Sequence, residues 1–539
     1  MDRKTIFING KVITMSKEKP SAEAFLVEGD VFNKVGTNEE IMALADENTE
    51  IVDLNNQTIL PGMNDSHMHL ISYALSTKKV DLRGCKSLED LREAILSYLD
   101  SEEQFFGEWI VGHGWNDENF NDRRYPTREF LDEICSDRPI FLSRACYHIA
   151  AVNSKALELA NINSETKDPD GGKIDRDASG EATGILRENA LLLPYNMIPM
   201  PQDVEQIKQL IKSGINDALM VGLTSIQTDD FKHVGSYKKV LKAYKELYEE
   251  GDLDLRINLQ MLLTIEELKE FSDLNIHTGM GNSYLKYGPL KVLADGSLGG
   301  KTAALEEPYE GDEENRGILI YDNNKLEALL RLAADNGLQL AVHAIGDGAM
   351  NQLLEIFDKF FGNGEKNHRS RLIHCQITNK KIIDKMKELN VIADIQPSFL
   401  MTDMKMVPAR IGDKRARDSY NWKTMLEKGV VAAGGSDCPI ESFNPFLGIY
   451  AAVTRMDMES KPEGGWYPEE CLSVDEAIEI YTVGSSYATF EENLKGKIKT
   501  GYLADFIVID RDIKEILPIE LKDIKIKATY VGGEKKYMK

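Results

Sequence analysis

The segment Pro61-Gly-Met-Asn-Asp-Ser-His67-Met-His69 carries two imidazoles two residues apart at the end of an apolar run. On a strand, residues i and i+2 point to the same face, so His67 and His69 aim at one point. Two convergent neutral imidazoles suit a divalent ion such as zinc. An HxH pair by itself also arises by chance, so its surroundings decide its meaning. The chain has 9 histidines in 539 residues, and two more of them, His343 in LQLAVHAIGDG and His374 in RLIHCQI, also end apolar runs. A lone histidine in a strand is ordinarily a hydrogen-bonded core residue. Four of them at three expected strand ends read as a ligand set. Asp437, in VVAAGGSDCPI, follows a run of small residues. A carboxylate is costly to bury there unless it is paired or bound to metal. Lys291, in GPLKVLADGSLGG, lies on another such run. A desolvated lysine has a lowered pKa and can add carbon dioxide to become a metal-bridging carbamate. The bland alternative is an ion pair between Lys291 and Asp295 or another carboxylate.

The elements that must position these residues show in the periodicity. Eight short β-rich runs occur: QTILPGMNDSH, GLTSIQT, LRINLQMLL, LKYGPLKVLAD, QLAVHAIG, RLIHCQI, VIADIQPSF and VVAAGGSDCP. Segments with helical spacing and charged outer faces fall among them: SLEDLREAILSYL, VEQIKQLIKSGINDALM, KLEALLRLAADNG and NKKIIDKMKELN. Eight strands alternating with helices predict an α/β fold, a (β/α)₈ TIM barrel spanning 61–76 and 201–489. Active sites of such barrels sit at the C-terminal strand ends, where the candidate ligands fall. Residues 1–60 and 490–539 share a hairpin-rich texture, and neither end has enough strands for a sheet of its own. They are expected to pair into one small composite β-sandwich. Residues 77–200, rich in Asp, Gly and Pro, break the rhythm after the first barrel strand and read as an insertion at the barrel mouth. His113 and Trp115 in GHGWN and His148 in ACYHIAAVN lie in it and are candidates to line a substrate pocket, as are Asp295 and Ser297 after the fourth strand. Packing within the insertion would account for the first three almost as well. Arg187 in GILRE is expected to pair with Glu188 or another acid rather than grip a substrate.

Composition narrows the class. There are 64 basic and 89 acidic residues, a net charge of −25, which repels phosphate backbones and argues against nucleic acid as a partner. No run reaches the ~18 apolar residues of a membrane helix, and the basic start is not followed by a signal-peptide core. The cytoplasm is the expected compartment, with no membrane partner. The 6 cysteines are scattered and form no CxxC pair, so no disulfide framework is expected. The loop Asp295-Gly-Ser-Leu-Gly-Gly-Lys301-Thr302 superficially resembles a phosphate-binding loop, but Asp stands where its first glycine should be.

Taken in order, PGMNDSHMH, the strand-borne Lys291, His343, His374 and GGSDCP resemble the amidohydrolase superfamily. The phrases GHGWN, HIAAVNSKAL, DGGKIDRDASGEATGILRE, LADGSLGGKTAAL, HAIGDGAM and GKIKTGYLADFIVID look like its branch containing N-substituted formamide deformylase. The resemblance covers nearly the whole chain and is far more specific for branch than for substrate. It implies that His67 and His69 bind a buried metal and that Lys291 is carboxylated and bridges to a second metal. It also implies that His343 and His374 bind that second ion, while Asp437 touches the buried metal and acts as general base. The implied cofactor is one or two divalent ions, zinc foremost. The implied reaction is hydrolysis of an amide- or formamide-type C–N bond by attack of metal-bound hydroxide. A small molecule is the implied substrate, and a homodimer is compatible. Two alternatives stay open here. One is hydrolytic deamination of a heterocycle, disfavoured because His343 is followed by Ala-Ile-Gly-Asp347 rather than by an early glutamate. The other is a catalytically dead barrel serving in assembly, disfavoured because every ligand position holds a competent side chain.

Overall fold

The computed structural model describes residues 4–100, 105–121, 123–146, 148–201, 203–364 and 367–539. Two compact units emerge, one made of 1–71 with 207–539, the other of 72–206.

The first unit contains the barrel. Its strands are β1 (Met63–Met68), β2 (Leu223–Asp229), β3 (Arg256–Leu262), β4 (Leu285–Leu293), β5 (Leu340–Ala344), β6 (Arg371–His374), β7 (Ile392–Ile395) and β8 (Ala432–Gly434). Each pairs in parallel with the next, giving one eight-stranded sheet in chain order. All eight expected runs are therefore strands. The sheet closes through the backbone beyond β8: Asp437 N donates to His67 O at 2.8 Å and His69 N donates to Cys438 O at 2.8 Å.

Local chemistry explains the alternation. Helix Lys380–Leu389 starts where the Asn379 side chain accepts from Ile382 N, and helix Asn323–Asp335 where Asp322 accepts from Lys325 N. Both bury an aliphatic face (Ile382, Ile383 and Met386 in one, Leu326, Leu329 and Leu330 in the other).

The run QTILPGMNDSH is divided rather than continuous. Thr58–Pro61 belongs to a different sheet, and β1 begins only after Gly62. A Cβ at Gly62 would lie 2.1 Å from Thr224 Oγ1, so only glycine lets the chain pass from one sheet to the other there. That other sheet is six-stranded and joins Phe506–Ile509 and Ile526–Val531 from the C-terminal end to Thr58–Pro61 and Lys11–Ile13 from the N-terminal end. A four-stranded sheet built around Lys4–Ile8 packs with it over one aromatic core. Phe7 stacks on Phe25 at 4.9 Å and Phe506 on Tyr530 at 4.3 Å between ring centroids. Arg256, at the start of β3, donates to both oxygens of buried Asp505 at 2.7 and 2.8 Å, tying this sheet pair to the barrel.

The second unit holds its own six-stranded sheet and its own core around Leu91, Trp115, Ile140 and Leu142. No helix among the described residues is long and apolar enough to cross a membrane.

Candidate metal centre

His67, His69 and Asp437 come together at the C-terminal end of the barrel. One potential ligand atom from each lies within 4.8 Å of the other two. Asp437 Oδ1 is 3.3 Å from His67 Nε2 and 3.0 Å from His69 Nε2. Lys291 Nζ is 3.3 Å from His67 Nε2. The His374 ring lies 5.9 Å from that of His67 and 4.5 Å from that of His343, centroid to centroid. The six candidates, from β1, β4, β5, β6 and the segment after β8, thus share one end of the barrel.

The hydrogen bonds behind each imidazole decide which nitrogen faces inward. A carbonyl oxygen only accepts, so the ring nitrogen opposite it must carry the proton. His67 Nδ1 donates to Gln260 Oε1 at 2.7 Å, and Gln260 is itself oriented by donating to Ser66 O at 2.8 Å. His374 Nδ1 donates to Gln396 Oε1 at 2.8 Å. His69 Nδ1 donates to the Asp229 carbonyl at 2.8 Å. In all three, Nε2 is the nitrogen turned to the centre. His343 is reversed: Nε2 donates to Gly296 O at 3.0 Å, leaving Nδ1 as its possible ligand atom.

Electrostatics sharpen the picture. Burial, with the Lys291 ammonium next in weight, pulls His67 down to about 3, so it is neutral. Its Nε2 lone pair then faces Asp437 Oδ1 at 3.3 Å with no proton between them, an arrangement that a cation relieves. For His69, burial works against the charge, but hydrogen bonding and attraction to Asp437 prevail and raise it to about 9. Burial and the charge of His343 push His374 well below its usual range. Burial raises Asp437, yet the neighbouring imidazoles of His67 and His69 outweigh it and hold the carboxyl well below the usual range. The donor set, three Nε2 atoms, one Nδ1 and a carboxylate, fits a divalent ion of the zinc type.

The backbone is strained where two of the candidate ligands are presented. His374 has φ +82° and Asp437 has φ +56°, a left-handed region that non-glycine residues rarely adopt. The loop carrying Asp437 is held by Asp65, which accepts from Ser436 N at 3.1 Å and Ser436 Oγ at 2.5 Å. Burial, against those hydrogen bonds, raises Asp65 to about 7. Gly435 lets this loop lie against β1, since a Cβ there would fall 2.7 Å from His67 N. Beneath the centre, Arg371 forms a fully buried pair with Asp394. It also donates to Gln227 Oε1 across the lumen at 2.6 Å.

The pocket candidates fare differently from the ligands. Asp295 is buried and accepts from Ala304, Ile345 and Gly346 N at 2.9, 3.1 and 2.8 Å, with His343 Nε2 at 3.3 Å. Its oxygens are thus occupied by three backbone N–H groups and His343, and no ion pair joins it to Lys291 among the described residues. Ser297 is exposed and accepts from Gly300 N at 3.2 Å within its own loop. Trp115 is fully buried, its indole donating to Leu142 O at 2.9 Å, so it is a core residue of the second unit and not an aromatic wall. His113 is buried two residues earlier on the same strand, whereas His148 is exposed and pairs with Glu188 at 2.8 Å. Arg187 does pair with an acid, but with Asp175, at 2.7 Å.

Four residues around the ligands were not singled out from sequence: Gln260, Gln396, Asp229 and His233. Polar residues inside the apolar runs LRINLQMLL and VIADIQPSF were the signal for the two glutamines. His233 Nε2 lies 3.2 Å from His69 Nδ1, and nothing in its loop sequence distinguishes it. Partners that orient metal-binding imidazoles are typically worth about 10- to 100-fold in metal affinity. Gln260→Ala is therefore expected to weaken metal binding by about that factor, and Gln260→Glu, which keeps an acceptor, to weaken it less. Competition against a chelator measures both, and an unchanged affinity in the alanine variant would remove Gln260 from the site.

A family model described as amidohydrolase family matches residues 50–537. The chain is 36% identical to YtcJ of Bacillus subtilis over 539 residues, covering 99% of this chain and 100% of that one. It is 28% identical to an N-substituted formamide deformylase of Arthrobacter pascens over 549 residues, covering 99% and 98%. Among solved structures, an uncharacterized metal-dependent hydrolase from Pyrococcus furiosus superposes with a TM-score of 0.77 at 31% identity, covering 96% of this chain and 100% of that one.

Proposed function

The chain belongs to the amidohydrolase family, and from that premise we propose that it is a metal-dependent hydrolase of amide- or formamide-type C–N bonds. The observation that carries this reading is the set of four imidazoles, each with one nitrogen tied to a carbonyl oxygen, gathered at one barrel end where His67 and His69 turn the other nitrogen toward Asp437. His67, His69 and Asp437 would hold one divalent ion, zinc by the donor chemistry, and Lys291, His343 and His374 a second. Such an ion, when bound, supplies Lewis acidity that brings the pKa of water from about 15.7 towards 7 and polarises a carbonyl.

The chain's own residues do the rest. Gln260, Gln396 and the Asp229 carbonyl fix the imidazole rings, so the donor atoms are in place before substrate arrives. Asp437 is the general base: ionised even in the low-dielectric barrel end, it accepts a proton from the attacking water and returns it to the leaving nitrogen. No serine or cysteine nucleophile is needed. The relative named as a formamide deformylase supports the bond class, since a formamide is cleaved at the same kind of C–N bond.

Lys291 is proposed to be carboxylated. Burial lowers its affinity for a proton, which favours the free amine whose lone pair adds to carbon dioxide, with loss of one proton, to give a carbamate. Metal-loaded protein equilibrated with ¹³C-bicarbonate should show a carbamate carbon by NMR, absent in Lys291→Met. If no such signal appears in the loaded wild type, the lysine is a bare amine and the centre holds a single ion. The function itself is tested by screening N-formyl and N-acyl compounds with metal-analysed protein. Ammonia release from heterocycles without any amide cleavage would overturn the C–N bond class.

A further inference from the structure

Asp229 ends β2, and its side chain is used by none of the steps above. Along β2, Ser225 and Gln227 point into the barrel: Ser225 Oγ accepts from buried Lys495 and Gln227 bonds to Arg371 across the lumen. Asp229, two residues further, shares that face and lies in the uppermost layer, level with the candidate ligands. Thr228 faces the other way, accepting from Leu70 N at 2.9 Å. Asp229 is 3% exposed, and its Oδ1 has no hydrogen-bond partner among the described residues. The geometry therefore leaves one buried carboxylate oxygen at the barrel end without a donor. Buried polar groups are almost always satisfied, and exceptions gather where a ligand completes them.

We propose that Asp229 is a specificity residue, accepting the N–H of a secondary amide at the site of cleavage. The inference rests on the C–N hydrolase reading and narrows its substrate class to amides that keep a hydrogen on the scissile nitrogen. A site built around such a donor rejects the analogue without it, because the acceptor is then left buried and unpaired.

The probes are N-benzylacetamide and N-benzyl-N-methylacetamide, which differ in that one hydrogen. Calorimetric Kd and kcat/KM are measured for both on metal-loaded wild type, Asp229→Leu and Asp229→Asn, together with metal content and melting temperature. Wild type is expected to prefer the secondary amide by roughly 10- to 100-fold. The Leu variant should lose that preference and the Asn variant retain part of it, both with undiminished metal. Melting temperatures of the Leu variant should be equal or higher, since an unsatisfied buried acceptor has been removed. Equal treatment of the two probes by wild type overturns the assignment while leaving amide hydrolysis intact. Loss of metal in the Asn variant overturns it in favour of a ligand role, and a lowered melting point with the preference intact in favour of a structural one. If wild type neither binds nor cleaves either amide, both the assignment and its premise fail for this class.

Discussion

Replacing His67 and His69 together by alanine should abolish metal retention and lower activity by more than about 10³-fold, because water without the ion returns to a pKa near 15.7. Each histidine contributes one inward Nε2, and Asp437 alone cannot replace them. The variant carries its own cost in stability. Gln260 Oε1 loses the donor it faces at 2.7 Å, the Asp229 carbonyl loses the one it faces at 2.8 Å and Asp437 loses both of its neighbours, so three acceptors each lose a partner. The melting temperature should fall, yet the barrel strands and their helices remain intact by circular dichroism. His69→Gln, which disturbs less, guards against confusing unfolding with metal loss. Metal analysis after dialysis is the decisive measurement. Full occupancy in the folded double variant would show that the ion binds elsewhere.

The second large effect belongs to Asp437. Changing it to asparagine keeps the shape and an oxygen for His69 Nε2–H, but removes the charge and the basicity. General-base catalysis is typically worth about 10²–10⁴-fold, so kcat should fall by at least about 10²-fold with substrate binding changed much less. The substitution also alters the metal-free site. Asp437 is what raises His69 to about 9, so in the variant His69 returns to a lower pKa and gives up its proton more readily. Metal uptake by the wild type at neutral pH therefore releases a proton that uptake by the variant does not, which calorimetry in buffers of different ionisation enthalpy detects. A metal-replete Asn variant with near-normal kcat, where chemistry limits the rate, would place proton transfer elsewhere.

Much of this architecture was legible in the chain as written. Short β-rich apolar runs identified all eight barrel strands, and 3.6-residue periodicity identified helices between them, which the structure shows to be capped by Asn379 and Asp322. Both are local properties, fixed by backbone sterics and by which face must leave water. His67 and His69 could be paired for the same reason, since a strand's own geometry puts i and i+2 together. That two further histidines, a lysine and an aspartate lie on or just past other strands also followed from their places in the runs.

Tertiary structure alone decided the rest. No local rule says that β1 must break from the terminal sheet at Gly62; Thr224, 162 residues away, imposes it by close approach. The positive φ of His374 and Asp437 exists only because surrounding packing holds it there. Trp115 and Asp295 looked like pocket residues because aromatic and acidic groups in loops often are. The fold instead spends one on a core and the other on three backbone N–H groups. Gln260, Gln396, Asp229 and His233 gain meaning only from what lies opposite them, across distances in sequence that no periodicity spans. Sequence determined which side chains could bind a metal; tertiary contacts determined which nitrogen of each imidazole faces it.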